Sequence, residues 1–128
     1  MRLGPSRSVA ALYATLFITT AQGGAVVAGD SARGKALYES RCTACHSLDH
    51  SRIGPAHRSV FGRHVAQVDG FDYSTALKRS GAIWTARSLD RWLANPEAFI
   101  PGQRMGYSVA DPKERADIIA FLASPAAR

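Results

Sequence analysis

The sequence lacks what a disulfide-stapled or zinc-built domain would need. Only two cysteines occur in 128 residues, at Cys42 and Cys45. No second pair of cysteine or histidine ligands lies at regular spacing, which argues against a structural zinc site. No α/β alternation follows the pair, which argues against a thioredoxin-like dithiol. Also missing are a Lys/Arg stripe interleaved with aromatics, as nucleic acid would require, an apolar run of the ~20 residues that span a bilayer, and any repeat or low-complexity tract. Between Ala56 and Tyr73 no alternating strand pattern of useful length occurs.

The first stretch does not read as part of the folded unit. Met1 to Arg7 carries two arginines and no acid, Val9 to Ile18 is apolar apart from Thr15, and Ala25-Val26-Val27-Ala28 supplies small residues before the polar Asp30. That order of basic, apolar and small segments is expected of a cleavable signal peptide over 1–28, an uncleaved anchor being the alternative. A single domain over 29–128 follows, exported and, in a bacterium, periplasmic after cleavage near Ala28. Without Arg2 and Arg7 the formal net charge falls from +6 to +4. A moderate positive balance without lysine runs favours steering toward an acidic protein partner over nucleic acid. In an oxidising compartment a neighbouring dithiol closes to a disulfide unless another covalent bond consumes it.

Cys42-Thr43-Ala44-Cys45-His46 offers such a bond. C-x-x-C-H is the attachment signature of c-type haem: each thiol adds to one vinyl group and the histidine takes an axial iron position. The rest of the chain predicts four or five short helices and no sheet. Asp30 or Ser31 caps a helix from Ala32 to Arg41, in which Gly34 costs ~1 kcal/mol relative to alanine unless another helix crosses there. Ile53-Gly54-Pro55 fixes a tight path beside His46, the glycine being free to take conformations other residues avoid. Ser74 to Arg79 forms one or two turns ended by Gly81. Thr85 or Ser88 caps a helix to about Ala94, which Asn95-Pro96 stops, and Phe99 to Tyr107 is a loop. Asp111 and Pro112 open the last helix, ended by Ser124-Pro125.

The second axial position has His50, His57, His64, Met1, Met105 and the lysines as candidates. Met1 departs with the leader. His50 and His57 follow His46 too closely to reach the opposite face of a macrocycle and read as exposed loop residues, and His64 sits in a polar context. Met105 lies in a glycine-proline loop, where a pinning role for the sulfur is favoured over core filling.

With these motifs in order, the chain resembles a class I cytochrome c of the mitochondrial and bacterial c2 type. The resemblance is carried by Gly29-Asp30, Arg33-Gly34, Leu37-Tyr38, Cys42 to His46, Gly54-Pro55, Phe61-Gly62-Arg63, Gly70 to Tyr73, Ile83-Trp84, Leu93 to Pro96, Ile100 to Gly102, Met105 and Arg115 to Leu122. It implies an all-α fold around one covalent haem c, with the N- and C-terminal helices crossing through Gly34 and Tyr38 against Ile118 and Phe121. It implies Met105 as distal iron ligand, the Pro55 carbonyl as acceptor of the His46 ring N–H, and Arg63, Tyr73 and Trp84 near the haem propionates. The implied activity is not enzymatic: a monomer shuttles one electron by transient docking between a reductase, such as a cytochrome bc1-type complex or a dehydrogenase, and an oxidase or other acceptor. Alternatives are a peroxidase or gas-binding protein with a labile sixth site, and a module docked to one periplasmic dehydrogenase. Departures from the family pattern are Leu77, Gln103, and Glu97-Ala98 where the mitochondrial docking surface has lysines.

Overall fold

The structure, a computed structural model, describes Met1, Gly4 and residues 28–128. The signal-peptide reading lies outside the described residues. Among the described residues five helices form: α1 (Ser31–Arg41), α2 (Thr75–Arg79), α3 (Ala86–Ala94), α4 (Pro96–Phe99) and α5 (Pro112–Ala123), with a 3-10 turn over Pro125–Ala127. Among the described residues no helix is long and apolar enough to cross a membrane.

The pair α1 and α5 is the most extensive contact between elements, and sequence explains each part of it. The Asp30 carboxylate accepts the N–H groups of Ala32 and Arg33 at 2.9 and 3.0 Å, satisfying donors that a helix start leaves free. At the other helix Asp111 caps and Pro112 takes the first turn, where its missing N–H costs nothing. Gly34 is buried at the crossing, and a Cβ there would lie 1.8 Å from the Asp117 carbonyl oxygen. The glycine that helix propensity disfavours is the one that lets the backbones touch. One turn on, the Tyr38 ring rests on Phe121 with centroids 5.2 Å apart. Within the seam, the wholly buried Asp117 accepts the Asp30 N–H at 2.7 Å and pairs with Arg33. Burial raises its pKa, but these partners and Lys113 outweigh that and hold it below the ordinary carboxylate range.

Helix α3 is fixed by a reciprocal capping box between Thr85 and Ser88 and buries Leu89, Trp92 and Leu93. Asn95-Pro96 does end it, as expected, but the chain does not pass directly into a loop. The Asn95 side chain accepts the Ala98 N–H at 3.0 Å and Pro96 opens α4, so the stop is also a start. No strand forms among the described residues; one isolated antiparallel bridge joins His64 to Ile83. Its neighbours Gly62 N–H to the Trp84 carbonyl (2.8 Å) and Trp84 N–H to the Arg63 carbonyl (2.9 Å) set Arg63 beside Trp84.

Candidate functional site

The helices and loops enclose an apolar cavity of about 610 Å³, within the ~300–1,000 Å³ typical of cofactor sites. Cys42, Cys45, His46, Pro55, Arg63, Tyr73, Trp84 and Met105 all line it, with Leu89, Leu93, Ile118 and Leu122 among the apolar groups. Residues from both ends of the chain thus share one wall.

On one side, α1 delivers the thiols. Cys42 is the C-cap of α1, its N–H donating to the Tyr38 carbonyl, and the N–H groups of Cys45 and His46 both donate to the Cys42 carbonyl at 3.1 and 2.9 Å. The pentapeptide is therefore one tight turn. Burial pushes the Cys42 thiol up to about 11, so it remains protonated at neutral pH; Cys45 is exposed. His46 is buried, and its Nδ1 lies 2.8 Å from the Pro55 carbonyl oxygen. Burial lowers its pKa and that hydrogen bond works in the opposite direction. The net lowering leaves a neutral imidazole whose Nδ1–H donates to Pro55 and whose Nε2 lone pair is free. Gly54 matters here for space: a Cβ would fall 2.1 Å from His46 Cε1, and its φ is not in the left-handed region. The expectation of an unusual backbone at Gly54 is corrected accordingly.

His50 and His64 are exposed. His57 is not, and its reading as an exposed loop histidine is overturned. The N–H groups of His57 and Arg58 donate to the carbonyls of Ser47 and Leu48 at 2.9 and 2.8 Å, folding the chain back on the turn that carries His46. The His57 ring lines the cavity and stacks on His46. Burial first, then His46 and Arg63, hold its pKa well below the ordinary value. Nearness in sequence argues against His57 reaching the opposite face, and the fold turns that nearness into contact with His46.

At the opposite end of the sequence Met105 is half-buried on the cavity wall. Its loop is held by two of the departures noted above. Gln103 Oε1 accepts the Met105 N–H, Gln103 Nε2 donates to Glu97 Oε2 at 3.3 Å, and Glu97 Oε1 accepts the Gly102 N–H at 2.9 Å. The sequence offered no signal for this network, because Glu97 lies six residues from Gln103 across a helix end.

Polar groups on the wall are few. Arg63 Nη1 and Nη2 donate to the carbonyls of Arg58 (2.9 Å) and Ala56 (3.1 Å), leaving Nε as the one buried side-chain donor without a partner among the described residues. The Tyr73 hydroxyl accepts the Val68 N–H at 3.2 Å, which leaves its proton to be donated elsewhere. Trp84 is buried and meets Trp92 edge-on at 5.3 Å. A cavity of this size with an apolar body, paired thiols, a neutral imidazole, a thioether and an orphaned guanidinium donor fits a flat, largely apolar, anionic-tailed macrocycle.

A helical shell around such a cavity, with C-x-x-C-H in its wall, defines a c-type haem protein. Comparisons with known proteins agree. The sequence profile of the cytochrome c family matches residues 31–125. Cytochrome c 2.1 of Caenorhabditis elegans is 42% identical over 102 residues, covering 76% of this chain and 90% of the relative. Cytochrome c2 of Rhodomicrobium vannielii is 38% identical over 104 residues, covering 78% and 82%. Among solved structures, cytochrome cH from Methylobacterium extorquens superposes with a TM-score of 0.70 at 38% identity, over 73% of this chain and 97% of that one. The chain belongs to the cytochrome c family. Its cofactor is a covalent c-type haem, and since the chain has only Cys42 and Cys45, the thioether bonds fall to them. It exchanges electrons with redox partners.

Proposed function

We propose that the protein is an exported one-electron carrier with His46 and Met105 as the axial ligands of its haem, shuttling between a membrane-bound reductase or dehydrogenase and an oxidase or other acceptor. The observation that carries this reading is the convergence on one apolar cavity of His46, held by Pro55, and Met105, held by Gln103. Haem iron supplies the ferric/ferrous couple. The protein's part is to fix the ligands and the surroundings. Donation of Nδ1–H to the Pro55 carbonyl fixes the tautomer of His46 and raises its basicity as a ligand. The Met105 thioether would favour the reduced state, and burial of the site would disfavour the additional charge of the oxidised one. Arg63 Nε, with the Tyr73 hydroxyl and the Trp84 indole, would take the carboxylates, charge-assisted bonds being the strongest available in an apolar site.

The ferric spectrum of native and Met105→Ala holoprotein tests the ligand set. Native protein should show a thioether-ligated, low-spin signature, and the substitution should abolish it and admit cyanide quickly. An unchanged signature in the variant would show that another group occupies the sixth position. Mass spectrometry of the secreted protein tests export: a start near Gly29 plus one haem is expected, and retention of Met1 in membranes would replace the diffusible carrier with an anchored one.

A further inference from the structure

The His46 imidazole is held at its edge by Pro55, and Gly54 packs against the ring. A further contact meets it face-on. The His57 ring lies 3.9 Å away, centroid to centroid, with the two planes only 22° apart. His57 is itself anchored twice. Its backbone is tied to Ser47, immediately after His46, and its Nδ1 lies 3.2 Å from the Tyr38 hydroxyl. Tyr38 has no other side-chain hydrogen bond among the described residues. Its buried phenol, with its pKa pushed up by desolvation, keeps its proton, and its hydrogen bond with Nδ1 holds the His57 ring. Behind it the Tyr38 ring is wedged on Phe121 where α1 crosses α5. A continuous series of contacts therefore runs from the crossing through Tyr38 and His57 to His46.

We propose that His57 is a positioning residue for the axial imidazole: oriented by the Tyr38 hydroxyl, its ring sets the plane of His46 and ties the state of the haem iron to the α1–α5 crossing. Groups around a metal-bound histidine orient it and tune the metal. A stacked ring restrains the plane of the imidazole face-on, adding to the in-plane hydrogen bond to the Pro55 carbonyl. The inference rests on the reading of His46 as an iron ligand.

The test uses full-length holoprotein with His57→Leu, which fills the same space with similar bulk but removes the ring and its hydrogen bond to Tyr38. Tyr38→Phe, which removes only the O–H, and the double variant complete the set. The readouts are the spread of the haem-methyl proton resonances in the ferric state, which reports the plane of the axial imidazole, and the midpoint potential. His57→Leu should change the spread and shift the potential, and Tyr38→Phe should move both in the same sense but less. The double variant should match His57→Leu, because Tyr38 acts through His57. Equal spreads and potentials in wild type and His57→Leu, with only a lower melting temperature, would overturn the inference and leave His57 as packing. Should His57→Leu fail to load haem, Tyr38→Phe decides alone, since every ring stays in place: an unchanged spread overturns the inference. Failure of the parent reading looks different. Wild-type ferric protein would then lack hyperfine-shifted resonances from a coordinated His46, whatever the variants did.

Discussion

Gly54 and Gln103 act at opposite ends of the site, one by what it lacks and one by what it reaches. With a Cβ at position 54 only 2.1 Å from His46 Cε1, Gly54→Ala must displace either the ring or the loop. Overpacking of this kind costs about 1–3 kcal/mol. At roughly 4–8 °C per kcal/mol for a domain of this size, the melting temperature of the holoprotein should fall by about 5–20 °C. Calorimetry would measure the drop, and a variant as stable as the parent would mean that His46 has more room than the geometry gives it. Gln103 secures Met105 by its backbone. Gln103→Ala removes that bond, worth ~1 kcal/mol net, so cyanide should displace the sixth ligand about fivefold faster. Stopped-flow binding would show it, and Glu97→Ala should act in the same direction through the lost bonds to Gln103 and Gly102.

Among the elements, α1 and α5 depend on one carboxylate and one glycine. A Cβ at Gly34 would sit 1.8 Å from the Asp117 carbonyl oxygen, so Gly34→Ala should destabilise the holoprotein by at least ~3 kcal/mol, against a few tenths for the exposed Lys35→Ala. Denaturant unfolding of both variants gives the comparison. Asp117 makes the same crossing sensitive to acid. Its folded pKa is depressed, so its contribution is fully present above the unfolded value of ~3.9 and is lost as pH falls through the lower, folded value. The stability of the native protein should therefore fall on acidification below about pH 4, and Asp117→Asn should flatten that limb of the profile. An unaltered acid limb in Asp117→Asn would assign the effect to other carboxylates. The starts of α1, α3 and α5 were legible in the sequence because caps are local: Asp30, Thr85 and Asp111-Pro112 satisfy N–H groups two or three residues away. Helix α4 was not, since the same Asn95-Pro96 pair that halts one helix caps the next. The cysteines, His46 and Met105 stood out by type and spacing. His57 and Glu97 did not, because their parts depend on where loops turn back, which no local rule encodes.

At the scale of the whole molecule, the cavity rim combines charge with exposed apolar surface. Arg41 and Arg104 line it, paired with Glu114 at 2.7 Å and Asp72 at 3.1 Å, and beside them stand Ile53 and Tyr107, 79% and 42% exposed. Paired cations leave the long-range field to the overall balance, which is +4 over residues 29–128. Electron exchange with an acidic partner should accordingly slow by about tenfold as ionic strength rises from about 0.01 to 0.15 M, where the Debye length shrinks from ~30 to ~8 Å. Flash or stopped-flow kinetics would measure it, and a salt-independent rate would point instead to apolar contacts at Ile53 and Tyr107. The α1–α5 crossing also imposes an order in time. In a chain exported N-terminus first, as proposed, Cys42 to His46 would cross before α5, which carries the surface against which α1 closes. Until then Gly34 and Tyr38 have nothing to rest on, and the thiols stay within reach of whatever catalyses their alkylation. On that route α1 would close against its partner only once α5 had followed.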